Sequence, residues 1–120
     1  MPWETEVISR LKLARVLSKD VAPGSQPVLD WIRKNNIQHL AVHLDLDVLD
    51  PKVFRSLLFN NPDDTTPIDA AHGKLSFPQV TGLIKDVAAQ TDVVGMSIAE
   101  HMPWDAINLK NMMEAFSFMK

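Results

Sequence analysis

Residues 43–51 read HLDLDVLDP, and this short stretch decides the predicted fold. The even positions from 40 to 48 are all apolar, whereas the odd positions from 39 to 47 include two histidines and two aspartates. A period of two is typical of a β-strand with one buried face. Pro51 then ends the predicted strand, because proline supplies no N–H to a sheet ladder.

The acidic residues of this stretch point to a cation. Asp45 and Asp47 are two residues apart on the predicted strand, so we expect their side chains to share one face. Two carboxylates this close raise one pKa unless a cation lies between them. Glu100 ends a second apolar strand, predicted over residues 92–100, and we expect it at the same edge of the sheet. Three carboxylates at the carboxyl edge of a parallel sheet are typical of a Mg²⁺ or Mn²⁺ site.

The neighbouring polar residues have simpler interpretations. Asp50 precedes a proline and is best explained as a turn residue. His39 and His43 share the polar face of the strand, and we interpret them as half-exposed strand histidines. We interpret Trp31 and the methionine-rich last helix as parts of the core.

Helical patterns on both sides of the strands complete an α/β prediction. Ser76 and Gln79 form a capping box, with Pro78 in the first turn, so a helix is predicted over residues 76–90. Further helices are predicted over 3–11, over 25–34 and after residue 105, a short strand over 13–17 and a long irregular loop over 60–75. This alternation predicts a three-layer αβα arrangement with a small, mostly parallel sheet, forming one domain over residues 1–120.

The composition excludes several classes of function. The net charge is −3 with no Lys/Arg-rich run, which argues against a nucleic-acid partner. No apolar run approaches the roughly 18 residues needed to cross a bilayer, so no membrane partner is expected. The chain has no cysteine, which excludes a disulfide framework and thiolate metal ligands, and a reducing cytoplasm is the expected compartment.

Two other motifs share part of the acidic stretch. An EF-hand loop needs Gly at its sixth position and Glu at its twelfth, but Asp50 and Ser56 occupy them. LDLDV also resembles the strand-end motif of the haloacid dehalogenase-like phosphotransferases, whose first Asp is a nucleophile. That family requires an acidic pair after another strand, whereas residues 63–64 follow the turn-like NNP. The phosphotransferase therefore remains a partial match.

A further resemblance uses more of the chain. HLDLDVLDP is followed some fifty residues later by VGMSIAEHMP, at residues 94–103. These two motifs, in this order, resemble the late motifs of the arginase/agmatinase (ureohydrolase) family. GKLSFPQV, at residues 73–80, is similar to the segment that opens the family's intervening helix, and EHMPWDAINLKNM is similar to a bacterial arginase-like subgroup. The resemblance implies a partial arginase-like fold and hydrolysis of a C–N bond in a guanidino compound or another linear amidine.

The resemblance also implies roles for particular residues. Asp45 and Asp47 would be ligands of a dinuclear manganese centre, and Asp50 would brace the turn. Glu100 would face the guanidinium group of a small substrate. In the family, a hydroxide that bridges the two metal ions attacks the guanidino carbon.

The chain lacks part of the family's pattern. The earlier motifs Gly-Gly-Asp-His and Asp-Ala-His-x-Asp, which supply the other four metal ligands, are absent from the sequence. The resemblance therefore covers only the C-terminal portion of the family, and we expect weak or partial Mn²⁺ binding and little or no activity from this chain alone. An open sheet edge would recruit a partner, so we expect a homo-oligomer or a complementing fragment. A non-catalytic, oligomerising interaction module is the alternative function.

Overall fold

The structure is a computed structural model that describes residues 2–55, 57, 60, 61, 63, 72–102 and 106–119. Five α-helices are found in this part of the chain: α1 (Pro2–Arg10), α2 (Ser18–Val21), α3 (Gln26–Lys34), α4 (Phe77–Gln90) and α5 (Ala106–Glu114). They accompany two strands, β1 (His39–Asp45) and β2 (Asp92–Ala99), which pair in parallel. The α/β class and the parallel sheet are thus confirmed. Most of the predicted 60–75 loop, residues 64–71, lies outside the described residues.

The sheet follows the alternation in the sequence. Leu44 is buried on one face of β1, while His43 and Asp45 are exposed on the other. The register runs from His39 opposite Asp92 to Asp45 opposite Ala99, with one irregularity after Leu40. Both strands therefore end at the same edge, which we name the carboxyl edge.

Helix α4 connects the two strands and begins as its sequence predicts. The Ser76 side chain accepts the backbone N–H of Gln79, and the Gln79 side chain accepts the backbone N–H of Ser76. This capping box satisfies two of the N–H groups that the first turn of a helix leaves without partners. Val80, Ile84 and Val87 form the buried face of the helix.

The core consists of two clusters on the helical side of the sheet. One lies between α3 and α4 and contains Leu29, Ile32 and Val87, with Leu40 of β1 packed against it. The other lies around the residues that follow β1 and includes α5. Its buried members are Leu44, Leu46, Leu49, Phe54, Leu57, Leu75, Val80, Ile84, Met112 and Phe116. We name this second group the carboxyl-edge cluster.

Residues 2–17, which we name the arm, depart from the prediction. Residues 13–17 were predicted as a strand but pair with no strand in the described part of the chain, and all five are exposed. The local pattern of apolar residues is present, but a strand also needs a neighbour to pair with. Helix α1 forms as predicted and yet has no buried residue.

Two smaller predictions were also wrong. The composition of SKDVAPGS, at residues 18–25, predicts a turn, but its first four residues form α2 instead. Trp31 was assigned to the core but is 36% exposed, because Leu29 and Ile32 supply the buried face of α3. The expectation for the last helix holds in part, since Met112 is buried whereas Leu109 and Met113 are half-buried.

The face of the sheet opposite the helices is open. Its β1 residues are exposed from His39 to Asp45 at every odd position, and Gly95 and Ser97 are exposed beside them on β2. Among the helices of the described residues, none is both long and apolar enough to cross a bilayer.

Candidate functional site

The acidic pair lies where β1 turns into a short 3₁₀ helix. Asp45 is the last residue of the strand, and Asp47 lies within the 3₁₀ turn Leu46–Val48. The Asp45 Oδ1 atom accepts the backbone N–H of Asp47 at 2.9 Å. The prediction that both residues continue one extended strand was therefore wrong. Aspartate readily bonds the backbone two residues on, and here that bond replaces the sheet ladder.

Glu100 arrives at the same edge from the neighbouring strand. It follows β2 directly, and Ala99 before it pairs with Asp45 across the sheet. Its φ angle of 63° is left-handed, a conformation that costs a non-glycine residue roughly 1–2 kcal/mol. Such strain is concentrated at functional sites. The predicted position of Glu100 at the carboxyl edge agrees with the register.

The charges of Asp45 and Glu100 act on the carboxyl group of Asp47. The pKa of Asp47 is raised above its ordinary value, first by partial burial of the carboxyl group and then by the negative charges of Asp45 and Glu100. A raised pKa means that the charged form of Asp47 is disfavoured where it stands. A bound cation would reverse both effects, because it offsets the repulsion and restores the solvation lost on burial.

The donor set fits a divalent metal ion in kind but not in number. Carboxylate oxygens are hard ligands of the type that Mn²⁺ and Mg²⁺ prefer. Within the described ranges, however, no group of three or more His, Cys, Asp or Glu side chains is placed to enclose a metal ion. Six-coordinate ions need more protein or solvent ligands than Asp45 and Asp47 provide. The pair therefore fits an incomplete site.

Asp50 takes a local role. Its Oδ1 atom accepts the backbone N–H of Lys52 at 2.8 Å, and its own N–H donates to the Leu75 carbonyl at 2.9 Å. These bonds belong to a turn that leads the chain away from the carboxyl edge, in agreement with the interpretation of Asp50 as a turn residue.

Both histidines of β1 make polar contacts on the open face of the sheet. His43 Nδ1 lies 2.7 Å from Ser97 Oγ, and His39 Nδ1 lies 3.2 Å from a carboxylate oxygen of Asp92. Both contacts join residues directly opposite each other in the parallel register. Sequence reasoning found the histidines but not these partners, because the register between two strands is not encoded in either strand alone.

One backbone segment at the site belongs to the motif GKLSFPQV, which the sequence analysis assigned to the start of a helix and not to the carboxyl edge. Residues 73–75, which we name the strap, run beside the 3₁₀ turn Leu46–Val48. We name this turn, which contains Asp47, the acidic turn. The Gly73 N–H donates to the Asp47 carbonyl at 2.8 Å, and the Leu75 N–H donates to the Val48 carbonyl at 3.2 Å. The only sequence clue to this contact was an isolated glycine after a long loop.

A scan of the chain against models of known protein families finds no match, and neither does a search of curated proteins.

Proposed function

We propose that the carboxyl edge is part of a metal-dependent hydrolase site of the ureohydrolase type. Asp45 and Asp47 would hold a divalent cation, manganese by family resemblance, and Glu100 would bind the guanidinium group of the substrate. The observation that supports this proposal best is the register of the sheet, in which Asp45 at the end of β1 pairs with Ala99, so that Glu100 follows at the same edge. The raised pKa of Asp47 agrees with this arrangement, since it is caused by burial and by the charges of Asp45 and Glu100. The proposal includes a cytoplasmic setting, which a chain without cysteine suits.

The chemistry of the proposed site divides between two groups. A bound cation would supply Lewis-acid chemistry, activating water for attack on the guanidino carbon. The Glu100 carboxylate can pair with a planar guanidinium through two parallel charge-assisted hydrogen bonds. Such a pair would hold the guanidino carbon at a fixed distance from the acidic turn, which lowers the entropic cost of the reaction.

The incomplete donor set limits what this chain does alone. With two aspartates as the protein ligands, we expect weak cation binding and little or no turnover of guanidino compounds. Turnover by the purified chain with added Mn²⁺ at about 1 s⁻¹ or faster, the range of ordinary enzymes, would contradict this expectation.

Binding measurements test the proposal. Free Mn²⁺ gives an electron paramagnetic resonance signal that is lost on binding, so its titration with protein yields a dissociation constant. We expect Asp45→Asn and Asp47→Asn each to weaken Mn²⁺ binding at least tenfold. Asp92→Asn is the matched control, because it removes an exposed carboxylate from the opposite end of the same sheet. Equal effects of all three variants would overturn the proposed site.

The proposed binding of the substrate by Glu100 is tested separately. In the presence of Mn²⁺, binding of arginine or agmatine is followed by calorimetry in the wild-type chain and in Glu100→Gln. We expect the variant to lose guanidinium binding and to retain the wild-type affinity for Mn²⁺. If guanidinium binding is the same in both proteins, Glu100 does not have the proposed role.

The second candidate is the non-catalytic module that assembles with copies of itself, and the arm favours it. Trp3 is 61% exposed and Leu11 58%, and α1 has no buried residue. Large exposed apolar patches mark interaction surfaces. We expect Leu11→Lys together with Leu13→Lys to abolish self-association in light scattering. A wild-type chain that is monomeric at high micromolar concentration would rule this function out.

A further inference from the structure

The acidic turn is held by a backbone clamp on one side. Three hydrogen bonds join the strap to residues 47–50: Gly73 N–H to the Asp47 carbonyl, Leu75 N–H to the Val48 carbonyl, and Asp50 N–H to the Leu75 carbonyl. Leu49 and Leu75 also form an isolated parallel bridge. The backbone that carries Asp47 is therefore paired immediately after that residue, on the side that leads away from the sheet.

Gly73 makes this contact possible because it has no side chain. A Cβ atom at this position would lie 1.9 Å from the Val48 carbonyl oxygen, 2.0 Å from its carbon and 2.4 Å from the Asp47 carbonyl oxygen. Real Cβ contacts are essentially never shorter than 3.0 Å, and all three atoms belong to the backbone. Any larger residue must therefore displace the strap, the turn or both.

The core holds both sides of the clamp in place. Leu75 of the strap is buried, and Leu46 and Leu49 beside Asp47 are fully buried in the same carboxyl-edge cluster. Close-packed interiors transmit displacement rather than absorb it. A shift forced at Gly73 would therefore move the Asp47 backbone, and ligand sites lose function when their supports are loose by about 1 Å.

We propose that Gly73 is a positioning residue for Asp47. Its missing side chain lets the strap approach the 3₁₀ turn closely enough to fix the Asp47 carboxylate for cation binding. This inference depends on the proposed function of the carboxyl edge, and it assigns to that site a residue with no ligating group.

The test compares alanine substitutions at three glycines. Gly24→Ala and Gly82→Ala are matched controls, since a Cβ atom at either position meets nothing within 4 Å. In two-dimensional NMR spectra of the full chain, we expect Gly73→Ala to shift the amide signals of residues 47–50 and to speed hydrogen exchange at Asp50 and Leu75. We also expect Gly73→Ala to weaken Mn²⁺ binding at least tenfold, while both controls keep the wild-type affinity.

The outcomes separate this inference from the proposed function. If Gly73→Ala binds Mn²⁺ as the controls do, the positioning role is overturned and the proposed function stands. If the wild-type chain binds no Mn²⁺ at the carboxyl edge, the proposed function fails and the role of Gly73 in cation binding fails with it. The amide shifts then decide whether the strap fixes the turn at all.

A milder pair of variants covers the case in which Gly73→Ala does not fold. Leu75→Val loosens the strap, and Leu29→Val makes the same change in the other core cluster. At a temperature where both variants are folded, we expect only Leu75→Val to weaken Mn²⁺ binding, by about threefold or more. Equal Mn²⁺ affinities would overturn the positioning role, because a general loss of stability affects both variants alike.

Discussion

The arm and the carboxyl-edge cluster contain similar apolar residues but differ in what surrounds them. Leu13 in the arm is 53% exposed, whereas Leu49 in the cluster is fully buried. Leu49 is enclosed because β1, the strap and α5 all contribute to its cluster, and the arm has no such neighbours among the described residues. The comparison shows that this chain concentrates its packing beneath the carboxyl edge.

The largest effect on stability is expected when a leucine is replaced by alanine in each of the two regions. We expect Leu49→Ala to lower the free energy of unfolding by about 2–5 kcal/mol, because it leaves a cavity in a close-packed cluster. Leu13→Ala should change it by about 0.5 kcal/mol or less, as is usual for exposed positions. Urea denaturation measures both. Equal losses would show that the arm is packed in solution and would remove the contrast.

A smaller effect is expected from the helix that supports the cluster. Ser76→Ala removes the capping bond to Gln79 and should cost about 1 kcal/mol. Ser9→Ala, at an exposed position of α1, is the control and should raise stability slightly, by about 0.5 kcal/mol or less, because alanine has the higher helix propensity. If thermal unfolding gives the same loss for both, the capping box does not stabilise the cluster.

The smallest effect concerns the charge of Asp47. Its pKa is higher in the folded chain than in the unfolded one, so the folded state binds the proton more tightly. Stability should therefore fall as the pH rises through the window between the unfolded and folded pKa values, and stay lower above it.

Asp47→Asn removes this dependence. We expect the variant to be more stable than the wild type at neutral pH, by at most about 1 kcal/mol because the groups are solvent-screened. The difference should vanish at acidic pH, below the window. Urea denaturation at several pH values measures this difference in stability. A variant that is less stable than the wild type at neutral pH would contradict the repulsion of Asp47 by Asp45 and Glu100.

Elements with their own local signals were predictable from the sequence. The period of two in β1, the capping box of α4 and the apolar faces of the helices each specify a structure within a few residues. The parallel pairing followed from the α-helix between the strands, since such a connection brings both carboxyl ends to one edge. For that reason the position of Glu100 at the same edge of the sheet as Asp45 was predictable from the sequence.

The remaining features depend on contacts between distant residues. Residues 13–17 have a strand pattern, but nothing local reveals whether a sheet edge is available to them. The end of β1 depended on a single side-chain bond from Asp45 to the backbone of Asp47. The strap depends on Gly73 approaching Val48, twenty-five residues earlier, and contacts of this kind leave no periodic trace in the sequence.

The proposed function requires that a divalent cation binds at the carboxyl edge through Asp45 and Asp47. Paramagnetic Mn²⁺ broadens the NMR signals of nearby nuclei, so a titration of the full chain locates the ion directly. We predict early broadening at Asp45, Asp47 and Glu100, with the signals of Asp92 at the opposite end of the sheet still sharp. Broadening that begins at other acidic residues, or that is uniform along the chain, would contradict it.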